Sequence, residues 1–219
     1  MKRILIFCLI GMLFGGCDDL KDQDMVFMHS YIPFYIENSW TAHPYKKDVS
    51  NTGKYYLLCS LNGGTVYRAP ELGGTGENAE RFLAIAEQNG DRTYDREVNV
   101  LVENLPRCSA DNYTELRVRC LNAAWDNGHA AGTDLSDIAV VEYVSYAAYV
   151  RCGYPKGEAS AKGYKKRLQE LKDTDLSMIT DAIYIYFTNL PPAGTYEMEV
   201  TFVTTEGEKK TATCTLVIE

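Results

Sequence analysis

Period-two alternation of apolar and polar residues recurs along this chain and restricts its fold more than any other feature. Val98, Val100 and Val102 alternate with Asn99, Leu101 and Glu103, and Leu116, Val118 and Cys120 with Glu115, Arg117 and Arg119. Ile183, Ile185 and Phe187 alternate in the same way with Tyr184, Tyr186 and Thr188. Successive side chains of a strand point to opposite faces, so each run predicts a strand with one apolar face. Residues 55–61 read as a buried strand stopped by Asn62-Gly63-Gly64, and 138–152 as a long strand run rich in Val and Tyr. The C-terminal segment predicts a hairpin: Tyr196, Met198, Val200 and Phe202 on one face, a turn at Glu206-Gly207, then 212–218. Short strands separated by turn signals make an all-β sandwich or barrel. Tyrosine dominates the aromatics, 16 against 7 Phe and 2 Trp, which suits strands and surfaces with wet edges.

One or two short helices interrupt this pattern. Asn78 can cap a helix over 79–88 closed by Asn89-Gly90, but Asn-Gly is equally a hairpin turn, and the two readings stay open. Tyr164, Leu168 and Leu171 fall at helical spacing among charged residues and predict a short surface helix.

A weak internal repeat relates the two halves. Val98-x-Val100-x-Val102-Glu103-Asn104-Leu105-Pro106 matches Ile183-x-Ile185-x-Phe187-Thr188-Asn189-Leu190-Pro191 at an offset of 85 residues, and each copy then reaches a tyrosine, Tyr113 or Tyr196, that opens another strand. This order resembles the end of immunoglobulin-like and fibronectin type III domains. The resemblance implies a corner tyrosine whose hydroxyl ties back to the preceding turn, with Leu190-Pro191-Pro192-Ala193-Gly194-Thr195-Tyr196 the better match. The expected architecture is two tandem immunoglobulin-like sandwiches, 28–128 and 137–219, joined by a linker at 129–136; the alternative is one larger sandwich built from both halves.

The first 16 residues carry Lys2 and Arg3, then an apolar run over 4–14 and Gly15-Gly16, the pattern of a secretory signal. That run is too short to span a bilayer core, which needs about 20 apolar residues. Phe14-Gly15-Gly16-Cys17 resembles the bacterial lipobox, with Phe14 in place of the usual Leu. The resemblance implies cleavage before Cys17 and lipidation of its thiol and amine with palmitate-type chains, enough for stable anchoring. Such processing removes two basic residues from a chain of formal charge −8. Residues 17–27 form an acidic tether, and Asp18-Asp19-Leu20-Lys21-Asp22 resembles the surface-export flank of lipoproteins in gut-anaerobe bacteria with two membranes. The implied location is the outer membrane, displayed outward, with the periplasmic face as the alternative.

With 22 basic against 30 acidic residues the chain lacks the basic footprint of a nucleic-acid binder. Beyond Cys8 and Cys17 five cysteines remain, an odd number. Cys59 to Cys120 and Cys152 to Cys214 have nearly equal separations, as in sheet-to-sheet bridges, and are the candidate disulfides; five buried thiols are the competing reading. No Cys-x-x-Cys is present, so metal-ribbon and thioredoxin-like readings fail. His29, His43 and His129 read as surface histidines, and Gly73-Gly74-Thr75-Gly76 as a flexible loop without the Lys-Ser/Thr of a phosphate loop. The 126–137 region has oxygen-bearing side chains but not calcium-loop spacing. No catalytic residues, metal or cofactor emerge. The candidate binding residues are aromatic: Tyr184 and Tyr186, about 7 Å apart on one strand face, and Trp40 and Trp125 near flanking loops. The expected function is a non-enzymatic, lipid-anchored envelope module that binds or scaffolds a glycan or a protein complex. The alternatives are a structural or adhesion subunit of the pilus-anchor kind, or a hydrolase or inhibitor without a local motif.

Overall fold

A computed structural model describes residues 25–46, 55–101 and 104–219. The signal, Cys17, the acidic flank at 18–22 and Val102 therefore lie outside the described residues. The elements, in chain order, are β1 (Met25–Met28), β2 (Phe34–Lys46), β3 (Tyr55–Arg68), α1 (Gly76–Asn89), β4 (Arg96–Asn99), β5 (Arg107–Ser109) and β6 (Tyr113–Cys120). β7 (Ala139–Ser145), α2 (Ala147–Arg151), β8 (Lys162–Arg167), β9 (Ile179–Phe187), β10 (Gly194–Thr204) and β11 (Lys209–Ile218) follow. The fold is mostly β.

A six-stranded sheet runs β5-β2-β3-β9-β7-β8, a three-stranded sheet β11-β10-β6, and β1 and β4 form a separate ribbon. Alternation places Leu57, Cys59, Val141, Ile183 and Ile185 of the large sheet in one buried cluster with Val118, Met198, Val200 and Phe202 of the small one. The two sheets therefore share a sandwich core.

The strand pairing corrects the tandem arrangement. Two separate sandwiches would confine pairing to each half. Instead β3 pairs with β9, Tyr56 opposite Tyr186, and β6 pairs with β10, Val118 opposite Val200. The 129–136 segment is no free linker either. Gly132 and Leu135 donate their N–H groups to the Cys120 and Val118 carbonyls at 2.6 and 2.9 Å, and Leu135 is buried in the core. The sequence repeat has no structural counterpart, because Val98 lies in the small ribbon with β1 while Ile183 lies in a central strand. The second corner tyrosine does match its expectation: Tyr196 Oη donates to the Pro192 carbonyl at 2.8 Å.

A second cluster forms where α1 and α2 pack near the start of β2, around Tyr35, Phe82, Ile85 and Val150. Asp91, fully buried, fastens it. Its carboxylate accepts the N–H groups of Tyr31 and Ile32 at 2.8 and 2.9 Å and the hydroxyls of Tyr35 and Tyr154 at 3.1 and 2.9 Å. Burial raises this carboxyl above the usual range, and the four donors pull in the opposite direction.

One open local reading is resolved and four others are corrected. The 76–89 segment is helical, and Gly90 closes it in the left-handed conformation (φ 71°) by donating to the Ala86 and Glu87 carbonyls. Asn78 is no cap: its amide clasps β3, accepting from Arg68 N at 2.9 Å and donating to Val66 O at 2.8 Å. Asn62-Gly63-Gly64 does not stop β3, because the extra residue is absorbed in a register shift opposite Asn38 and Ser39. Residues 162–167 form the edge strand β8 rather than a helix, followed by one 3-10 turn at Leu168–Glu170, and the 138–152 run is split into β7 and α2.

Candidate functional site: a tyrosine ledge on the open sheet face

The outer face of the six-stranded sheet is where the aromatics collect. Inward Ile183, Ile185 and Phe187 turn Tyr184 and Tyr186 outward, as the alternation predicts. Register then brings two further rings beside them. Tyr45 of β2 lies opposite Tyr56 of β3, and Tyr56 lies opposite Tyr186 of β9. The Tyr45 and Tyr56 rings stack with centroids 5.4 Å apart and planes 13° from parallel. Tyr56 also meets Tyr184 at 5.8 Å and Tyr186 at 5.4 Å. Tyr45 is 45% and Tyr184 37% exposed, so the ledge opens to water at two of its rings.

Charge borders the ledge. Glu142 of β7 faces both Tyr184 and, across the next strand, Lys165 of β8, and the two charges pair at 2.5 Å. The Lys165 ammonium lies 5.5 Å from the Tyr186 ring centroid, within cation–π range. Burial, with Glu142 adding repulsion, pushes the Tyr186 phenol up to about 12, so it remains a neutral hydrogen-bonding group at ordinary pH. Beside Tyr184 a depression of about 450 Å³ is lined by Glu142, Lys165, Thr180 and Asp181 among others. The arrangement combines flat apolar rings with nearby donors and acceptors, which can hold a ligand having apolar faces and polar edges.

The tryptophans do not join this site. Trp40 is a core ring stacked on Phe202 at 4.2 Å, and its Nε1–H donates to Tyr113 Oη at 3.0 Å. Trp125 is fully buried, its Nε1–H donating to the Asn189 carbonyl at 3.2 Å. Loop position in the sequence concealed that both rings turn inward. Tyr45 and Tyr56 were missed for the opposite reason: 55–61 has Ser60 as its one small polar side chain and reads as buried on both faces, although Tyr55 and Tyr56 point to opposite sides.

The candidate disulfides are not formed. Cys59, Cys120, Cys152 and Cys214 are free thiols, as is Cys108. Cys59, Cys108 and Cys120 are buried, Cys152 is exposed at the end of α2, and Cys214 of β11 is half-buried. Burial raises the Cys59 and Cys108 thiols and pushes Cys214 up to about 11, so they pack as neutral apolar groups. His129 is held by two carboxylates, Asp126 at 2.7 Å and Asp137 at 2.9 Å, and His29 by Asp95 at 2.6 Å; His43 is exposed on β2. Gly73 and Gly74 belong to a turn tied back to Pro70 and Ala69. Among the described residues no group of three or more His, Cys, Asp and Glu side chains converges to hold a metal ion, and no helix is long and apolar enough to cross a membrane.

No protein-family model, no curated protein and no solved structure matches the chain.

Proposed function

We propose that the chain is a non-catalytic binding module of the bacterial cell envelope, anchored by lipid on Cys17 and displayed from the outer membrane, whose tyrosine ledge binds a glycan. The observation that carries the glycan reading is the set of four contacting rings, Tyr45, Tyr56, Tyr184 and Tyr186, on one open sheet face. Sugar rings present flat C–H faces and polar rims, so they gain from stacking on tyrosine while the phenol edges and the Glu142–Lys165 pair meet their hydroxyls. The anchoring part rests on Lys2, Arg3, the apolar run and Gly15-Gly16-Cys17, and outward display on the acidic flank.

Native gels cast with a panel of neutral plant and host polysaccharides test the ledge. At least one polysaccharide retards the wild-type protein, and Tyr184→Ala with Tyr186→Ala abolishes the retardation. Equal retardation of the double variant removes the ledge from the account. Cys17→Ser tests the anchor separately by shifting the protein from the membrane pellet to the soluble fraction. Protease shaving of intact cells carrying Asp18→Ala and Asp19→Ala tests display, with reduced accessibility expected.

A further inference from the structure

The outer face of the three-stranded sheet carries a second cradle of different chemistry. Strand register sets Arg117, Thr201 and Thr211 in one row across β6, β10 and β11. Arg119 and Glu199 flank this row on one side and Lys209 on the other. These side chains, with Val203, line a depression of about 210 Å³.

Within the lining three cations meet one carboxylate, Glu199, while Glu115 and Asp134 border the cradle beside Arg117 and Arg119. Arg117 is already clamped by Glu115, which accepts from both its Nε and a terminal nitrogen, the latter at 2.7 Å. Arg119 is not similarly satisfied: its Nε is shielded from solvent and has no hydrogen-bond partner. A guanidinium donor withdrawn from water without an acceptor is costly, and an incoming oxyanion removes that cost. The Thr201 and Thr211 hydroxyls, 3.2 Å apart, and the Glu199 carboxylate complete a set of donors and acceptors around the cations.

We infer that this cradle binds an acidic sugar residue, its carboxylate or sulfate held by Arg119 and Lys209 and a ring hydroxyl donating to Glu199. A bare inorganic anion would satisfy the cations but leave Glu199 repulsive; a hydroxyl beside the anionic group uses both. The cradle lies on the outer face of the other sheet, so it stands independently of the tyrosine ledge.

Calorimetric titration of the folded protein with glucuronate, sodium sulfate and glucose at matched ionic strength tests the assignment. Glucuronate binds saturably and most tightly, sulfate more weakly, and glucose not detectably. Arg119→Gln with Lys209→Gln weakens glucuronate binding at least tenfold, while Lys156→Gln, an exposed control, leaves it unchanged. Because the substituted side chains face outward, circular dichroism of the double variant matches the wild type. Sulfate equal to glucuronate reduces the cradle to an adventitious ion site and overturns the sugar assignment. Binding retained in the folded double variant, or no saturable binding at all, overturns the site itself. Loss of polysaccharide retardation in the Tyr184 and Tyr186 variants, without change in glucuronate binding, keeps the two sites distinct.

Discussion

Asp91 illustrates how this molecule handles a buried charge. Among the described residues no cation pairs with it; two backbone N–H groups and two phenols do the work instead. Asp91→Ala strands all four donors in a closed core, and urea denaturation should register a loss of about 3 kcal/mol. A loss below about 1 kcal/mol would show that water replaces the carboxylate. His129 supplies a pH dependence. Asp126 first, and then Asp137, raise its pKa, so its stabilisation is complete below the unfolded value of about 6.5 and fades as pH rises through the higher folded value. Asp126, lowered to about 2 chiefly by His129, contributes above its unfolded value of about 3.9 and is lost as pH falls towards the folded one. Midpoints of urea unfolding should therefore be higher at pH 5.5 than at pH 8.5, and His129→Gln should shrink that difference. The Asp91 contacts were not legible beforehand, because sequence order keeps Asp91 far from Tyr154. His129 has Asp126 and Asp137 only three and eight residues away, but an irregular loop carries no periodicity from which their convergence could be read.

At the scale of elements, legibility followed the strength of the local signal. The β10–β11 hairpin is where alternation and the Glu206-Gly207 turn placed it, because the strands pair with each other and Tyr196, Met198, Val200 and Phe202 of β10 are buried with Ala212, Leu216 and Ile218 of β11. β8 was misread because Tyr164, Leu168 and Leu171 satisfy a helical spacing by chance, while pairing with β7 imposes an extended backbone. The corner at Tyr196 is a local device, and Tyr196→Phe should cost about 1 kcal/mol through loss of one hydrogen bond to the Pro192 carbonyl. The turn into α1 is less forgiving. A Cβ at Gly74 would lie 2.0 Å from the Arg68 carbonyl oxygen, so Gly74→Ala must displace backbone and should lower the thermal midpoint, at a cost of about 1–3 kcal/mol. An unchanged midpoint would mean that this turn rearranges freely.

For the whole molecule, the class all-β was readable but the partition was not. Alternation reports which face of a strand is buried, and Val118 and Val200 are apolar on the same grounds whether they share a sheet or belong to separate domains. The shared core makes a distinct forecast: calorimetric unfolding of the described domain should be one cooperative transition, and fragments 28–128 and 137–219 should each lack dispersed amide resonances when expressed alone. Two resolved transitions, or a folded fragment, would contradict a core common to both halves. The sites divide in the same way. Tyr184 and Tyr186 were visible within one strand, whereas Tyr45 and Tyr56 joined them only through register across three strands.

The pairing of β3 with β9 also orders events in time. When β2 and β3 leave the ribosome, the partner that covers the second edge of β3 lies more than a hundred residues away in the sequence. Until 179–187 is synthesised, the backbone groups of β3 from Tyr56 to Ser60 lack their partners on that edge, and Leu57 and Cys59 lack Ile183 and Ile185 of their core cluster. Such a chain folds late and slowly, and a holding chaperone that binds extended apolar segments would have its natural target in the nascent β2–β3 hairpin.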